Sequence, residues 1–232
     1  MIKKELQTFF ATPIGYLVIA LFLLFNALFL FVFKTDFNIL NAGFADLNAF
    51  FYLTPWIFIF LISAITMRSF SDEIQAGTIE ILKTKPISNW QIVLSKYLGS
   101  LLLICIALIP TLIYYFTVYK LGNPVGNIEF ATTFGSYIGL LFLAAAFVAI
   151  GLFSSTFSNN QIVSFLISVC ISFVLYYLFE LIANNNITVQ NIGMHQHFQN
   201  ISKGVIDTRD VIYFISISVF FLILTKIRVE RI

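Results

Sequence analysis

Six stretches of this chain run for about the thickness of a bilayer's hydrocarbon core with almost no ionisable residue in them, at approximately 14–33, 49–67, 97–118, 135–157, 162–183 and 211–227. A helix rises 1.5 Å per residue, so crossing about 30 Å of hydrocarbon takes roughly 20 residues. The last run is short, and Lys226 extends it by snorkelling toward the interface. With 59% of the 232 residues hydrophobic and only 10% charged, there are too few charges to cover a water-soluble globule of this size. Disorder is excluded by the same balance, because it requires low hydrophobicity and high net charge. The fold class that follows is an all-α integral membrane protein with six transmembrane helices, organised as a single transmembrane domain over residues 1–232. Cys105 and Cys170 both lie inside apolar runs, where a cysteine acts as a small hydrophobe.

The first run follows Lys3 and Lys4, as a signal peptide's apolar region would. Its length of about 20 residues exceeds the roughly 7 to 15 of such a region, and no small-residue cleavage site follows Phe33, so it reads as a retained span. Orientation comes from the lysines and arginines, which gather in cytoplasmic loops. With the N-terminus inside, nine of the 13 fall on the cytoplasmic side (Lys3, Lys4, Arg68, Lys83, Lys85, Lys96, Lys226, Arg228 and Arg231) and four fall outside. Both termini are therefore expected in the cytoplasm, in the inner (cytoplasmic) membrane of a cell. The net charge of +2 points to no nucleic-acid partner.

Three segments lie between or before the spans. Residues 1–13 place Ile2, Leu6, Phe9 and Phe10 at helical spacing and end in Pro13, which fits an N-terminal interfacial helix; an unstructured tail is the alternative. The outer segment 184–210 is polar with a weak apolar stripe of Ile192, Phe198, Ile201 and Val205, consistent with a short helix on or dipping into the outer leaflet. Residues 68–96 form the one sizeable cytoplasmic loop. Its helical pattern runs from Asp72 to Leu82, interrupted at Gly77-Thr78, and Lys85-Pro86 ends it. Ser88-Asn89-Trp90-Gln91 then reads as a capping box opening a second helix. A cytoplasmic helical hairpin between the second and third spans is expected.

That hairpin carries a recognisable string: Met67-Arg68-Ser69-Phe70-Ser71-Asp72-Glu73, then Gly77-Thr78-Ile79-Glu80-Ile81-Leu82, then Thr84-Lys85-Pro86-Ile87-Ser88, and Lys96. It resembles the first cytoplasmic hairpin of type-2 ABC transporter permeases. The resemblance implies that Glu73, Gly77, Thr78, Glu80 and Pro86 belong to the region that docks on the ATPase subunit. Ser71-Asp72 departs from the alanine and glutamate of the family pattern while keeping an acid. The likeness continues through Tyr137-Ile138-Gly139-Leu140-Leu141 and Ala149-Ile150-Gly151-Leu152-Phe153-Ser154-Ser155, and into the segment before the last span. There Gly204-Val205-Ile206-Asp207 and Arg209-Asp210-Val211-Ile212-Tyr213-Phe214, with the Thr-Lys-Pro run, are most similar to the gliding-motility-associated branch of Bacteroidetes. The resemblance implies a permease subunit that is driven by a separate cytoplasmic ABC ATPase and works beside a second permease copy or paralogue.

The chemistry visible in the residues agrees with a path rather than an engine. No G-x-x-x-x-G-K-[ST] phosphate loop is present, so if the chain is a transporter of the class it resembles, ATP hydrolysis is expected in a partner chain and the subunit is not expected to be an enzyme. The spans hold no ionisable residue except Glu180, near the outer end of the fifth, where it either reaches headgroup water or joins a substrate path. That scarcity disfavours a stand-alone channel or ion-coupled carrier, which needs titratable groups at the midplane. His195-Gln196-His197 has no accompanying ligand set and reads as an interfacial or hydrogen-bonding pair, so neither metal nor cofactor is expected. Gly135, Gly139 and Gly151 give the fourth span a small-residue face, packing either within the subunit or against the second permease. Pro55 and Pro110 fall inside spans and are expected to kink them. A permease exporting a lipid, peptide or antibiotic unrelated to gliding keeps the same architecture.

Overall fold

The computed structural model describes residues 2–41, 43–78, 88–182 and 192–231, and every regular element in them is helical. Six helical segments are long and apolar enough to cross a membrane: Pro13–Val32, Asn48–Gln75, Asn89–Leu121, Phe130–Ser155, Gln161–Ile182 and Thr208–Arg231. Each overlaps most or all of one apolar run, and each extends beyond its run at one end or both. The third begins at Asn89 rather than 97, and the sixth covers 208–231 rather than 211–227. Hydrophobicity marks the part of a helix that must sit in lipid, whereas backbone hydrogen bonding continues into polar residues until a cap or turn stops it.

Helix α1 (Ile2–Ala11) is followed by extended Thr12, and Pro13 opens α2 (Pro13–Ala27), where its missing N–H costs nothing. A π-helical turn at Leu28–Val32 completes the first span. Helix α3 (Asn48–Thr66) remains one helix through Pro55, and α4 (Arg68–Gln75) follows after a single residue. The expected start of this cytoplasmic helix at Asp72 is thus replaced by a direct continuation of the second span. Helices α5 (Asn89–Leu108) and α6 (Leu112–Leu121) are joined by a 3₁₀ turn at Ile109–Thr111, where Pro110 cannot donate to the α ladder. Helix α7 (Phe130–Ser155) is the fourth span. Helix α8 (Gln161–Phe173), a π-helical turn at Val174–Leu178 and α9 (Phe179–Ile182) make the fifth. A short α10 (Met194–Ser202) precedes α11 (Thr208–Arg231).

Helix α7 is the central post: 16 of its 26 residues are buried, and it packs against α3, α5, α8, α10 and α11. Its glycines permit this. A β-carbon at Gly151 would overlap the side chain of Thr66 on α3. One at Gly135 would lie 2.6 Å from the Ile201 carbonyl oxygen, and one at Gly139 would lie 3.1 Å from the Phe198 ring. The small-residue face therefore receives α3 near one end and α10 near the other, both within this chain. Between α3 and α8, Ser63 and Ser168 share a hydrogen bond of 2.7 Å, the kind of polar contact that holds helices together where water is absent. Large apolar side chains such as Leu17, Phe60, Ile113 and Phe220 point outward, as a bilayer requires. Cys170 is among the outward residues and Cys105 is partly buried.

The antiparallel helices bring both termini to one end. Glu5, Glu73 and Lys96 meet there, Gln161 reaches Asp72, and Lys226 lies over the Trp90 ring at 5.6 Å. The opposite end holds residues 33–41, 43–47 and 122–129 and α10.

Candidate functional site

The end that carries both termini is organised around one buried cation. Lys96, on the second turn of α5, is 5% exposed, and its Nζ lies 2.7 Å from Glu73 Oε1 on α4 and 3.8 Å from Glu5 Oε1 on α1. It also sits 5.1 Å from the centroid of Phe70, which is fully buried. Gly99, one turn further along α5, makes the approach of α1 possible, because a β-carbon there would stand 2.8 Å from Glu5 Cβ. Three helices are thus tied through one ammonium group. Glu73 keeps a second carboxylate oxygen, Oε2, buried without a hydrogen-bond partner, so Lys96 is its main compensation.

The geometry around this junction follows from local chemistry. Gly77 has φ +65°, the left-handed conformation that ends helices, and its N–H donates to the Ile74 carbonyl at 3.2 Å. No atom lies within 4 Å of its would-be β-carbon, so the backbone angle and not crowding calls for glycine. Thr78 donates to the Glu73 carbonyl at 3.4 Å. Gln161, at the start of α8, donates to Asp72 Oδ1 at 2.5 Å and fixes α4 against the fifth span. Where the chain re-enters the described residues, Ser88 and Gln91 form a reciprocal cap. The Gln91 N–H donates to Ser88 Oγ at 3.3 Å, and the Ser88 N–H donates to Gln91 Oε1 at 3.2 Å.

Of the hairpin residues singled out in the sequence, Glu73, Gly77 and Thr78 stand together at the end of α4. Gly77 and Thr78 are exposed, while Glu73 turns inward to Lys96. Glu80 and Pro86 lie outside the described residues, as does the proposed helical stretch up to Leu82. Sequence reasoning missed Glu5, and it took Lys96 as the end of the hairpin string and a cytoplasmic cation without a pairing role. Nothing in the local pattern marks a pair formed across 23 residues. Gly99, close behind Lys96, is the only signal that something approaches there.

The opposite end carries the two histidines. His195 Nδ1 lies 2.9 Å from Glu180 Oε2, and its Nε2 lies 3.2 Å from Gln199 Nε2. His197 Nδ1 lies 2.5 Å from Asp210 Oδ1, and its ring stacks on Tyr213 at 3.8 Å. Burial pushes the His195 imidazole below its ordinary value of 6.5, opposed in part by the Glu180 carboxylate. Glu180 is therefore a partner of α10. Among the described residues no three His, Cys, Asp or Glu side chains gather as a metal would require. Of the apolar stripe expected in this segment, Phe198 and Ile201 are buried, while Ile192 and Val205 are exposed; Met194 and His195 complete the buried face.

Compared with known families, residues 2–226 match the family described as ABC-2 family transporter protein. The match takes in α1, α4, Lys96 and all but the last residues of the sixth span. No curated protein matches the chain.

Proposed function

We propose, from the premise that this chain belongs to the ABC-2 family of transporter membrane proteins, that its terminal end is where a partner ATPase delivers mechanical work. Membrane components of this family have no ATPase activity of their own, and hydrolysis lies in a partner subunit. One observation carries the reading: α4, α1 and the start of the third span are joined through Lys96, so a push on α4 is shared with two other helices. Glu73, Gly77, Thr78, Glu80 and Pro86 form the docking region by resemblance. Within it the exposed Gly77 and Thr78 are surface for the partner, and Glu73 holds α4 to the bundle. Helix α1 lies in the membrane interface, and residues 68–96 act as the coupling hairpin. Both termini face the cytoplasm in the inner membrane, and a second permease copy or paralogue completes the path.

The finer assignment is to the gliding-motility branch, supported by the Thr84-Lys85-Pro86, Gly204-Val205-Ile206-Asp207 and Arg209-Asp210-Val211-Ile212-Tyr213-Phe214 strings. Co-purification from native membranes followed by an ATPase assay in lipid tests the general reading. The expected result is a complex whose ATPase subunit is lost or uncoupled on Glu80→Arg or Gly77→Pro. A complex without any ATPase, or variants that retain full coupling, would overturn it. Deletion of the gene tests the branch separately: normal spreading over surfaces, with the ATPase complex intact in the parent, removes the gliding assignment alone.

A further inference from the structure

At the end opposite both termini, two chambers of about 470 and 230 Å³ share Asn48, Phe51, Ser136, Ser202 and Lys203 along their walls, and so form one cleft. The larger chamber adds Asp46 and Glu129. One cation and two carboxylates therefore line the same space, yet neither Lys203 nor Glu129 enters an ion pair among the described residues. Asp46 is held in place by the backbone N–H and side-chain amide of Asn48, at 3.2 and 2.9 Å. Opposite charges facing one cavity without closing on each other leave room for a guest that carries both signs.

The depth of the cleft selects the guest. Its walls include the first turns of α3 and α7, which are the ends of the second and fourth spans, so it lies where hydrocarbon gives way to headgroups. Phe44 on its wall is 78% exposed, and Phe130, next to Glu129 in the chain, is 66% exposed. In water these aromatic faces are a liability, whereas beside acyl chains they are at home. Exposed ion pairs in water change affinity by only about two- to fivefold each. A free zwitterion therefore gains little here, whereas a lipid, held at the surface by its tails, presents its headgroup at a high effective concentration. A primary ammonium donates to carboxylates, which a quaternary one cannot do.

We propose that this cleft binds the headgroup of a zwitterionic phospholipid with a primary amine, its phosphate against Lys203 and its ammonium against Glu129 and Asp46. The site lies beyond the coupling function and does not depend on it.

The test uses the full chain in nanodiscs made from equal parts of phosphatidylethanolamine, phosphatidylcholine and phosphatidylglycerol with matched chains, and native mass spectrometry of the lipids retained after detergent stripping. Phosphatidylethanolamine should be enriched about fivefold over the other two. Lys203→Glu and Glu129→Lys should each bring the enrichment close to one. Lys120→Glu, the same charge change at the same end outside the cleft, should leave it intact. Lys203→Gln serves in place of the reversal if that variant misfolds. Equal retention of the three lipids by the unaltered protein, or unchanged enrichment in both cleft variants, overturns the proposal. Glycerophosphoethanolamine displacing the lipid as well as a short-chain phosphatidylethanolamine does would overturn the lipid source and assign the cleft to a soluble solute.

Discussion

Lys96 is the residue on which the terminal end depends most. Glu73 is about a quarter exposed, so the loss of its cation costs less than in a dry core but more than at a surface, on the order of 2 kcal/mol. Lys96→Met should lower the unfolding temperature in detergent accordingly. Lys96→Glu combined with Glu73→Lys should recover more stability than the sum of the single changes predicts, the signature of a direct pair. His195 gives a pH effect of determinate sign. Its folded pKa lies below the ordinary 6.5, because burial outweighs the pull of Glu180; Tyr176 is the other titratable neighbour. The unfolded chain therefore binds the proton first, and stability is lost as pH falls below about 6.5. A thermal scan from pH 7 to pH 5 should show a drop in the native protein that His195→Gln reduces. An identical drop in both would discount His195.

At the scale of elements, the seating of α10 against α7 accounts for the small residues of the fourth span. The two glycines under it are not equivalent. At Gly135 the obstacle is the backbone oxygen of Ile201, at 2.6 Å, which cannot move without moving α10. At Gly139 the nearest atoms belong to side chains, the Phe198 ring at 3.1 Å and Ile201 Cγ2 at 3.4 Å, and a shift of a few tenths of an ångström accommodates the new methyl. Gly135→Ala should cost roughly 2 kcal/mol or more and loosen α10, while Gly139→Ala should cost less than half of that. Hydrogen exchange over Met194–Ser202 measures the difference, and equal effects would mean that the α10 backbone yields. Gly77→Ala belongs to another class: the site is open, and only the left-handed angle opposes it, at about 1 kcal/mol, with Gly77→Asn milder. The Gly-x-x-x-Gly spacing itself was legible in the sequence. Which helix fills it was not, because a small-residue stripe specifies close approach and not the identity of the neighbour.

For the whole molecule, the bundle puts both termini, α4 and the start of α5 at one end, with seven of the nine cations assigned to the cytoplasm among its described residues. A fluorescent protein fused after Arg231 should therefore fold and fluoresce, and alkaline phosphatase inserted near Asn123 should be active. The reverse pattern would invert the orientation. Six spans and their limits to within several residues could be read from the chain because transfer into lipid is close to additive along a helix, each residue contributing by its own chemistry. The ends extended further, since capping at Ser88 and backbone continuity override local polarity. The π-helical turns at Leu28–Val32 and Val174–Leu178 left no mark in the composition. By itself, the sequence determined that this is a multi-pass membrane protein with six stretches long and apolar enough to be spans. Only the tertiary structure decided that Lys96 is a buried tie between three helices, that α10 fills the glycine face, and that Lys203 lines one cleft with Asp46 and Glu129. Those pairings depend on how each helix is rotated and set against its neighbours, and that is settled by packing between segments distant in the chain.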